Sequence, residues 1–157
     1  MDLRIEDVLI RKVVTVPSDC TVEEAVKTMD RHSTSCLVIL SEGRVDGIVT
    51  NRDMVYRLVA EGLDPSTTYV QEIATSPVVL LKPDDYLGEA IKIMLQKKIK
   101  KIPLVNVEGE NARLVGLLSF SDLVEYHSDL FATLWEQVLI TVPASGLEEG
   151  LLVTGRS

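Results

Sequence analysis

Apolar residues fall along this chain in two rhythms, and the whole sequence of rhythms is played twice. The β-branched run Val13-Val14-Thr15-Val16 predicts a strand, which Pro17-Ser18-Asp19 breaks. A helix follows, with Val22, Ala25, Val26 and Met29 at i, i+3, i+4 and i+7, after Thr21 as an N-cap with Glu24 three residues on. Cys36 to Leu40 is a continuous apolar strand, Ser41-Glu42-Gly43-Arg44 a hairpin turn, and Val45 to Val49 the return strand. Thr50 opens a second helix, with Met54, Val55, Leu58 and Val59 as its apolar face and Gly62 as its stop. Ahead of all this, Arg4 to Leu9 reads as a short amphipathic turn or helix. Gly62 to Thr67 reads as a linker.

The program then repeats. Val14-Thr15-Val16 matches Val79-Leu80-Leu81, and Asp19 matches Asp84. Val22, Ala25, Val26 and Met29 match Leu87, Ala90, Ile91 and Met94, each 65 positions on. The second hairpin, Asn106 to Ala112, is longer, so the spacing grows to 69 between Asp53 and Asp122. An insertion confined to a turn, with core positions in register on both sides, marks a structural repeat. The second closing helix overruns the first: Leu123, Val124, Leu130, Phe131, Leu134 and Val138, with Trp135, extend its apolar face. Pro143, Ser145, Gly146 and Gly150 mark a loop and tail, in which Leu147, Leu151, Leu152 and Val153 are partial anchors. These divisions predict repeats over residues 1–63 and 64–127 and an extension over 128–157.

The chemistry lies in one stretch that both repeats keep. Gly47-Ile48-Val49-Thr50-Asn51-Arg52-Asp53 is echoed by Gly116-Leu117-Leu118-Ser119-Phe120-Ser121-Asp122. Each puts a hydroxyl at a strand-to-helix turn and a carboxylate three residues later. Such a carboxylate can accept hydrogen bonds from two ribose hydroxyls, and the N–H groups of a helix start favour phosphate. The same pattern also reads as a capping box that only starts a helix. Two copies in matching places weigh towards a site.

Composition narrows the partners. A formal net charge of −8 argues against nucleic acid as a general partner. No apolar run approaches a membrane span, and charges in the first ten residues exclude a signal peptide. Cys20 and Cys36 follow no metal spacing and read as reduced thiols in a cytoplasmic protein rather than as a disulfide. His32 and His127 stand alone near helix ends and read as surface histidines. No nucleophile, metal set or base accompanies Asp53 and Asp122, so catalysis is not expected. Lys97, Lys98, Lys100 and Lys101 form the densest basic patch. The first two fit a helix C-terminus, whereas Lys100 and Lys101 open a strand and are phosphate candidates. Arg52 is another.

These residues, together with Lys100-Lys101-Ile102-Pro103-Leu104-Val105, resemble a tandem pair of CBS domains, the so-called Bateman module, over roughly Glu6 to Tyr126. The resemblance implies a mixed α/β (α+β) fold. Two β-α-β-β-α repeats would pack as a pseudo-twofold sandwich, followed by a C-terminal helical extension. It further implies two clefts for adenosine-containing ligands such as AMP, ADP, ATP or S-adenosylmethionine, with no catalytic cofactor. The Thr or Ser and the Asp of each motif would hold ribose and phosphate, and nearby apolar backbone would hold adenine. Carried over by position, the first cleft uses Thr50 and Asp53 with Val13, Val14, Thr15 and Leu37. The second uses Ser119 and Asp122 with Val78, Val79, Ile102 and Pro103. The first repeat has Ser35-Cys36-Leu37-Val38 where the second has Lys100-Lys101-Ile102-Pro103, so only the second brings lysines to its cleft.

The expected function is a regulatory module that senses adenine nucleotides and signals to a regulated protein not specified by the sequence. The surplus apolar face around Phe131 and Trp135 points to a homodimer. The alternative is an interaction or dimerisation scaffold whose clefts are vestigial. A small nucleotide-processing enzyme is a third reading, disfavoured for want of catalytic groups.

Overall fold

The computed structural model describes residues 2–8 and 10–141. The expected tail positions from Pro143 to Val153 lie outside the described residues. The chain folds into two interleaved compact units. One gathers residues 12–80 and 103–117, and the other gathers the described residues of 2–11, 81–102 and 118–141.

In the unit around residues 12–80, β1 (Thr15–Pro17) lies parallel to β2 (Cys36–Ser41), which pairs antiparallel with β3 (Arg44–Thr50). Between β1 and β2 runs α1 (Val22–His32), started by a reciprocal cap. Thr21 Oγ1 accepts the Glu24 N–H at 3.2 Å, and Glu24 Oε2 accepts the Thr21 N–H at 2.9 Å. That hydrogen bonding holds the Glu24 carboxyl below the usual carboxylate range. Val22, Ala25 and Met29 are buried, but Val26 is 45% exposed, against the expectation. At about 100° per residue, Val26 lies some 40° past Val22, beyond the rim of the stripe.

The β2–β3 turn has positive φ at both central residues, Glu42 (50°) and Gly43 (75°), the geometry of a tight hairpin. Ile39 pairs with Gly47 but Leu40 with Val45, so Asp46 bulges out of the ladder. Beside the bulge, Ile48 and Thr75 exchange backbone hydrogen bonds of 3.1 and 2.9 Å. This close approach needs Gly47: a Cβ there would stand 3.3 Å from both the Ala74 Cβ and the Thr75 carbonyl oxygen. The core joins Leu37, Ile39, Val49 and Met54 to Val70 and Ile73 of α3 (Val70–Ile73).

After β3 the chain makes a short α2 (Asn51–Asp53) and widens into a π-helical turn, Met54–Val59. Met54 and Leu58 are buried, but Val55 and Val59 are 53% and 69% exposed, so only half of the expected face packs. Gly62 stops the helix at φ 67°, with the Leu63 N–H returning to the Leu58 carbonyl at 3.0 Å. The expected linker is tied down, because Thr68 O and Pro65 O accept the Val22 and Glu23 N–H groups at 2.8 and 2.9 Å.

The other unit shows the same devices in their second copies. In α4 (Leu87–Lys97), Leu87, Ala90, Ile91 and Met94 are at most 2% exposed. Its C-cap, Lys98, is left-handed (φ 55°), as Ser33 is at the end of α1 (φ 49°). The expected amino-terminal turn is a 3₁₀ turn, Ile5–Asp7, seated on the start of α4. Leu3 O accepts the Leu87 N–H at 2.9 Å, and the Ile5 and Glu6 N–H groups bond to Asp85 O and Pro83 O at 3.0 and 2.9 Å. Arg4 stacks its guanidinium 3.8 Å over the Tyr86 ring. Arg4 bridges Tyr86 as Tyr69 bridges Thr21, each pair displaced by the same 65 positions. The amino-terminal turn therefore serves α4 as α3 serves α1.

Two further expectations change here. The second closing helix is broken at His127 (φ −134°, ψ 41°) into α5 (Phe120–Tyr126) and α6 (Ser128–Thr141) rather than overrunning. Phe131 and Trp135 stack at 5.5 Å, and Phe120 meets Phe131 edge-on at 5.2 Å. Leu134 and Val138 are buried within the chain, which removes part of the apolar surplus; Val124 is 44% exposed. The second hairpin pairs β4 (Lys101–Glu108) with β5 (Asn111–Ser119), and Val78 to Leu80 form no strand. Pro83 stands where the first repeat has Ser18, whose N–H donates to Leu40 O at 3.2 Å, so one ladder donor is missing.

Gly47→Val should lower the urea midpoint of the protein. Forcing a side chain against Ala74 and the Thr75 carbonyl should destabilise it by about 1–3 kcal/mol. A midpoint equal to wild type would show that the Ile48–Thr75 pairing gives way without cost.

Candidate functional site

The two strand-to-helix turns share a backbone frame. The Asn51 N–H bonds to Ser35 O at 3.0 Å, and the equivalent Phe120 N–H to Lys100 O at 2.8 Å. The carboxylates inside these frames have different partners. At the first turn Asp53 Oδ2 accepts the Thr50 N–H at 2.9 Å and the Thr50 hydroxyl at 3.2 Å. That is the capping geometry. Asp53 Oδ1 also lies 3.7 Å from Arg57 Nε, while Arg57 Nη1 donates to Ile73 O and Ala74 O at 3.1 and 3.0 Å. Arg57 thus ties the first motif to the end of α3.

At the second turn, among the described residues, no side-chain hydrogen bond from Ser119 caps α5. Ser119 and Asp122 are each only 5% exposed. A buried carboxylate needs a partner, since desolvation penalises a lone charge heavily. Asp122 finds Arg11, 111 residues away in sequence. Nε donates to Oδ2 and Nη2 to Oδ1, both at 2.8 Å, the two-pronged geometry of a strong guanidinium–carboxylate pair. Hydrogen bonding to Asp122, then its charge, pushes the Arg11 guanidinium above its ordinary pKa. The Tyr126 ring lies 5.8 Å from the same guanidinium.

The remaining candidates distribute as follows. Lys100, Lys101 and Ile102 share the unit of Ser119 and Asp122. Lys100 is exposed, Lys101 half-buried and Ile102 wholly buried. Val78, Val79 and Pro103 belong to the other unit, where Val78 packs on Cys36, Ile48 and Leu117 alongside Val13. That unit also holds Thr50, Asp53, Val14, Thr15 and Leu37. Leu37 is wholly buried in the core, so a ligand can meet it only through its backbone. Val14 uses its carbonyl to accept the Val38 N–H at 3.1 Å, and Thr15 is exposed in β1. Arg52 sits 5.4 Å over the Tyr56 ring. Lys97 ends α4 and Lys98 caps it; His32 ends α1, and His127 stands at the α5–α6 break.

Sequence reading missed Arg11. A contact across 111 residues leaves no local period to find. The one available signal was the repeat itself, because the 65-residue offset places Ser76 where Arg11 stands. Cys20 and Cys36 are buried free thiols. Burial, and then the Glu24 charge, push the Cys20 thiol up to about 11. Among the described residues no cluster of His, Cys, Asp and Glu could hold a metal ion, and no helix is long and apolar enough to cross a membrane.

With the two matched turns in place, the relationship to known proteins is direct. The CBS domain family matches residues 5–60 and again 70–129. The chain therefore belongs to the CBS-domain family and carries two such domains in tandem. It is 29% identical over 133 residues to an uncharacterized protein of Methanopyrus kandleri, covering 84% of this chain and 66% of that one. It is 34% identical over 142 residues to the inosine-5′-monophosphate dehydrogenase of Korarchaeum cryptofilum, covering 90% of this chain but 28% of the enzyme. A conserved protein of Pyrococcus horikoshii has a similar solved structure, with a TM-score of 0.71 and 28% identity over 81% of this chain and 93% of that one. The chain thus spans about two thirds of the first relative and little more than a quarter of the dehydrogenase, which it matches only through the CBS region. Tandem CBS pairs are regulatory modules that commonly bind adenosine-containing ligands.

The Cys20 thiol gives a test by pH. The folded state holds its proton more tightly than the unfolded state does, so stability is complete below the ordinary thiol pKa and falls as pH rises towards 11. Urea midpoints measured from pH 8 to 11 should fall more steeply in wild type than in Cys20→Ala. Parallel curves would show that the thiol does not titrate as its burial requires.

Proposed function

We propose that this CBS pair is a regulatory module that binds adenosine-containing nucleotides at its Ser119–Asp122 and Thr50–Asp53 turns and signals the bound state to a partner protein. The observation that carries this reading is Asp122. It is a carboxylate buried at the mouth of a helix, in a turn framed by Lys100, and it is not used to cap that helix. Two acceptor oxygens held in that place suit a ribose diol, and Lys100 and Lys101 on the same unit suit its phosphates. The Thr50–Asp53 turn offers the same groups in a state already engaged by capping. The nucleotide is a ligand and not a cofactor of catalysis.

One observation favours the alternative, an interaction or dimerisation scaffold with vestigial ligand sites: both aspartates already have partners within the chain. Thermal denaturation against AMP, ADP, ATP, NAD and S-adenosylmethionine separates the two. A ligand at about 100 times its dissociation constant adds roughly 2.7 kcal/mol. The shift should be lost in Asp122→Ala, which removes hydrogen bonds worth about 1.5–3 kcal/mol each when charge-assisted. No shift with any of the five ligands would leave the scaffold reading. A homodimer is part of the proposal, supported by the exposed Val55, Tyr56 and Val59 and the half-buried Phe131 and Trp135.

The two turns should also bind unequally, with the more phosphorylated ligand at Ser119–Asp122. One charge pair at 4 Å is worth about 4 kcal/mol at an effective dielectric near 20, before desolvation. Calorimetric titration of ATP should therefore lose its tighter event in Lys101→Glu and keep it in Arg52→Glu. The reverse result would move the phosphate to the first turn.

A further inference from the structure

We propose that Arg11 sets the ligand selectivity of the Ser119–Asp122 turn, favouring a diol whose ligand also carries an anionic group. This rests on the nucleotide reading above and adds to it a residue and a rule of choice. Arg11 holds one oxygen of Asp122 with each prong, at 2.8 Å, and the Asp122 side chain is only 7% exposed. The acceptors a ribose diol needs are therefore the ones the guanidinium occupies. Asp122 is fixed by its burial on α5, whereas the Arg11 side chain is 51% exposed and precedes β1. When the diol arrives, Arg11 is the partner that moves.

The exchange is unfavourable for a neutral nucleoside. Two hydroxyls replace a charged fork, the buried carboxylate loses its countercharge, and the guanidinium gains nothing. A phosphate alters the balance, because the displaced fork can take two phosphate oxygens as it took the carboxylate. The Lys100 and Lys101 charges lie on the same unit. The first motif has no such device: Ser76 stands at the Arg11 position, and Asp53 is served by its own helix through Arg57.

Calorimetry with adenosine and AMP tests this on wild type, Arg11→Gln and Arg11→Lys, reading the binding event that Asp122→Ala abolishes. Wild type should prefer AMP by about tenfold or more. Arg11→Gln should bring the two affinities close together by tightening adenosine and weakening AMP. Arg11→Lys, which keeps the charge but loses the fork, should fall between. An AMP-to-adenosine ratio unchanged in Arg11→Gln overturns the role of Arg11 and leaves the nucleotide reading standing. If neither compound binds folded wild type or folded Arg11→Gln, both fail. If Arg11→Gln does not fold by circular dichroism, Arg11→Lys decides: a reduced ratio supports the proposal and an unchanged one overturns it.

Discussion

The seating of Leu3, Ile5 and Glu6 on the segment from Pro83 to Leu87 is the contact on which the second half of this molecule depends. Three backbone hydrogen bonds close the start of α4 with chain from the opposite end of the sequence. An exposed helix start has unpaired N–H groups, and in the first repeat Thr68 and Pro65 satisfy them for α1. In the second repeat the amino-terminal segment supplies that role, with Leu3 O accepting the Leu87 N–H. This seat accounts for the described residues of 2–11 joining the unit of residues 81–102. Residues that open the sequence complete the unit that closes it.

That exchange of segments gives two near-identical motifs different chemistry. Thr50–Asp53 is a local device, a carboxylate folded back on the hydroxyl three residues before it. Ser119–Asp122 has the same spacing, yet its carboxylate is met by a side chain carried in on the borrowed segment. Local spacing specified a turn in both cases. Which group the aspartate serves was specified by what the rest of the fold brings within 3 Å of it.

Periodicity made the repeat legible, because an apolar stripe needs only its own helix to be recognised. Leu87, Ala90, Ile91 and Met94 pack as a set, and the hairpin with Glu42 and Gly43 follows from turn chemistry. The readings that changed were those needing a neighbour. Val26, Val55 and Val59 have apolar side chains and helical spacing, but among the described residues no element covers them. The break at His127 carries no proline or glycine to announce it. At the candidate site, the hydroxyls and aspartates were visible as a motif. Arg11 was not, because a pairing across the whole chain has no local signature. The family relationship fixes what kind of module this is.

The borrowed segment also has a consequence for biosynthesis. Arg4 bonds to Asp84 O, a partner 80 residues later. At typical translation rates of about 5–20 residues per second, roughly 4–16 seconds separate the appearance of the two on the ribosome. During that interval β1, β2 and β3 can assemble, since all their strand partners in the three-stranded sheet have already been made. The opening turn, with wholly buried Ile5 among its residues, must wait without its seat. The stretch that secures the start of α4 is thus open to chaperones and proteases throughout that interval.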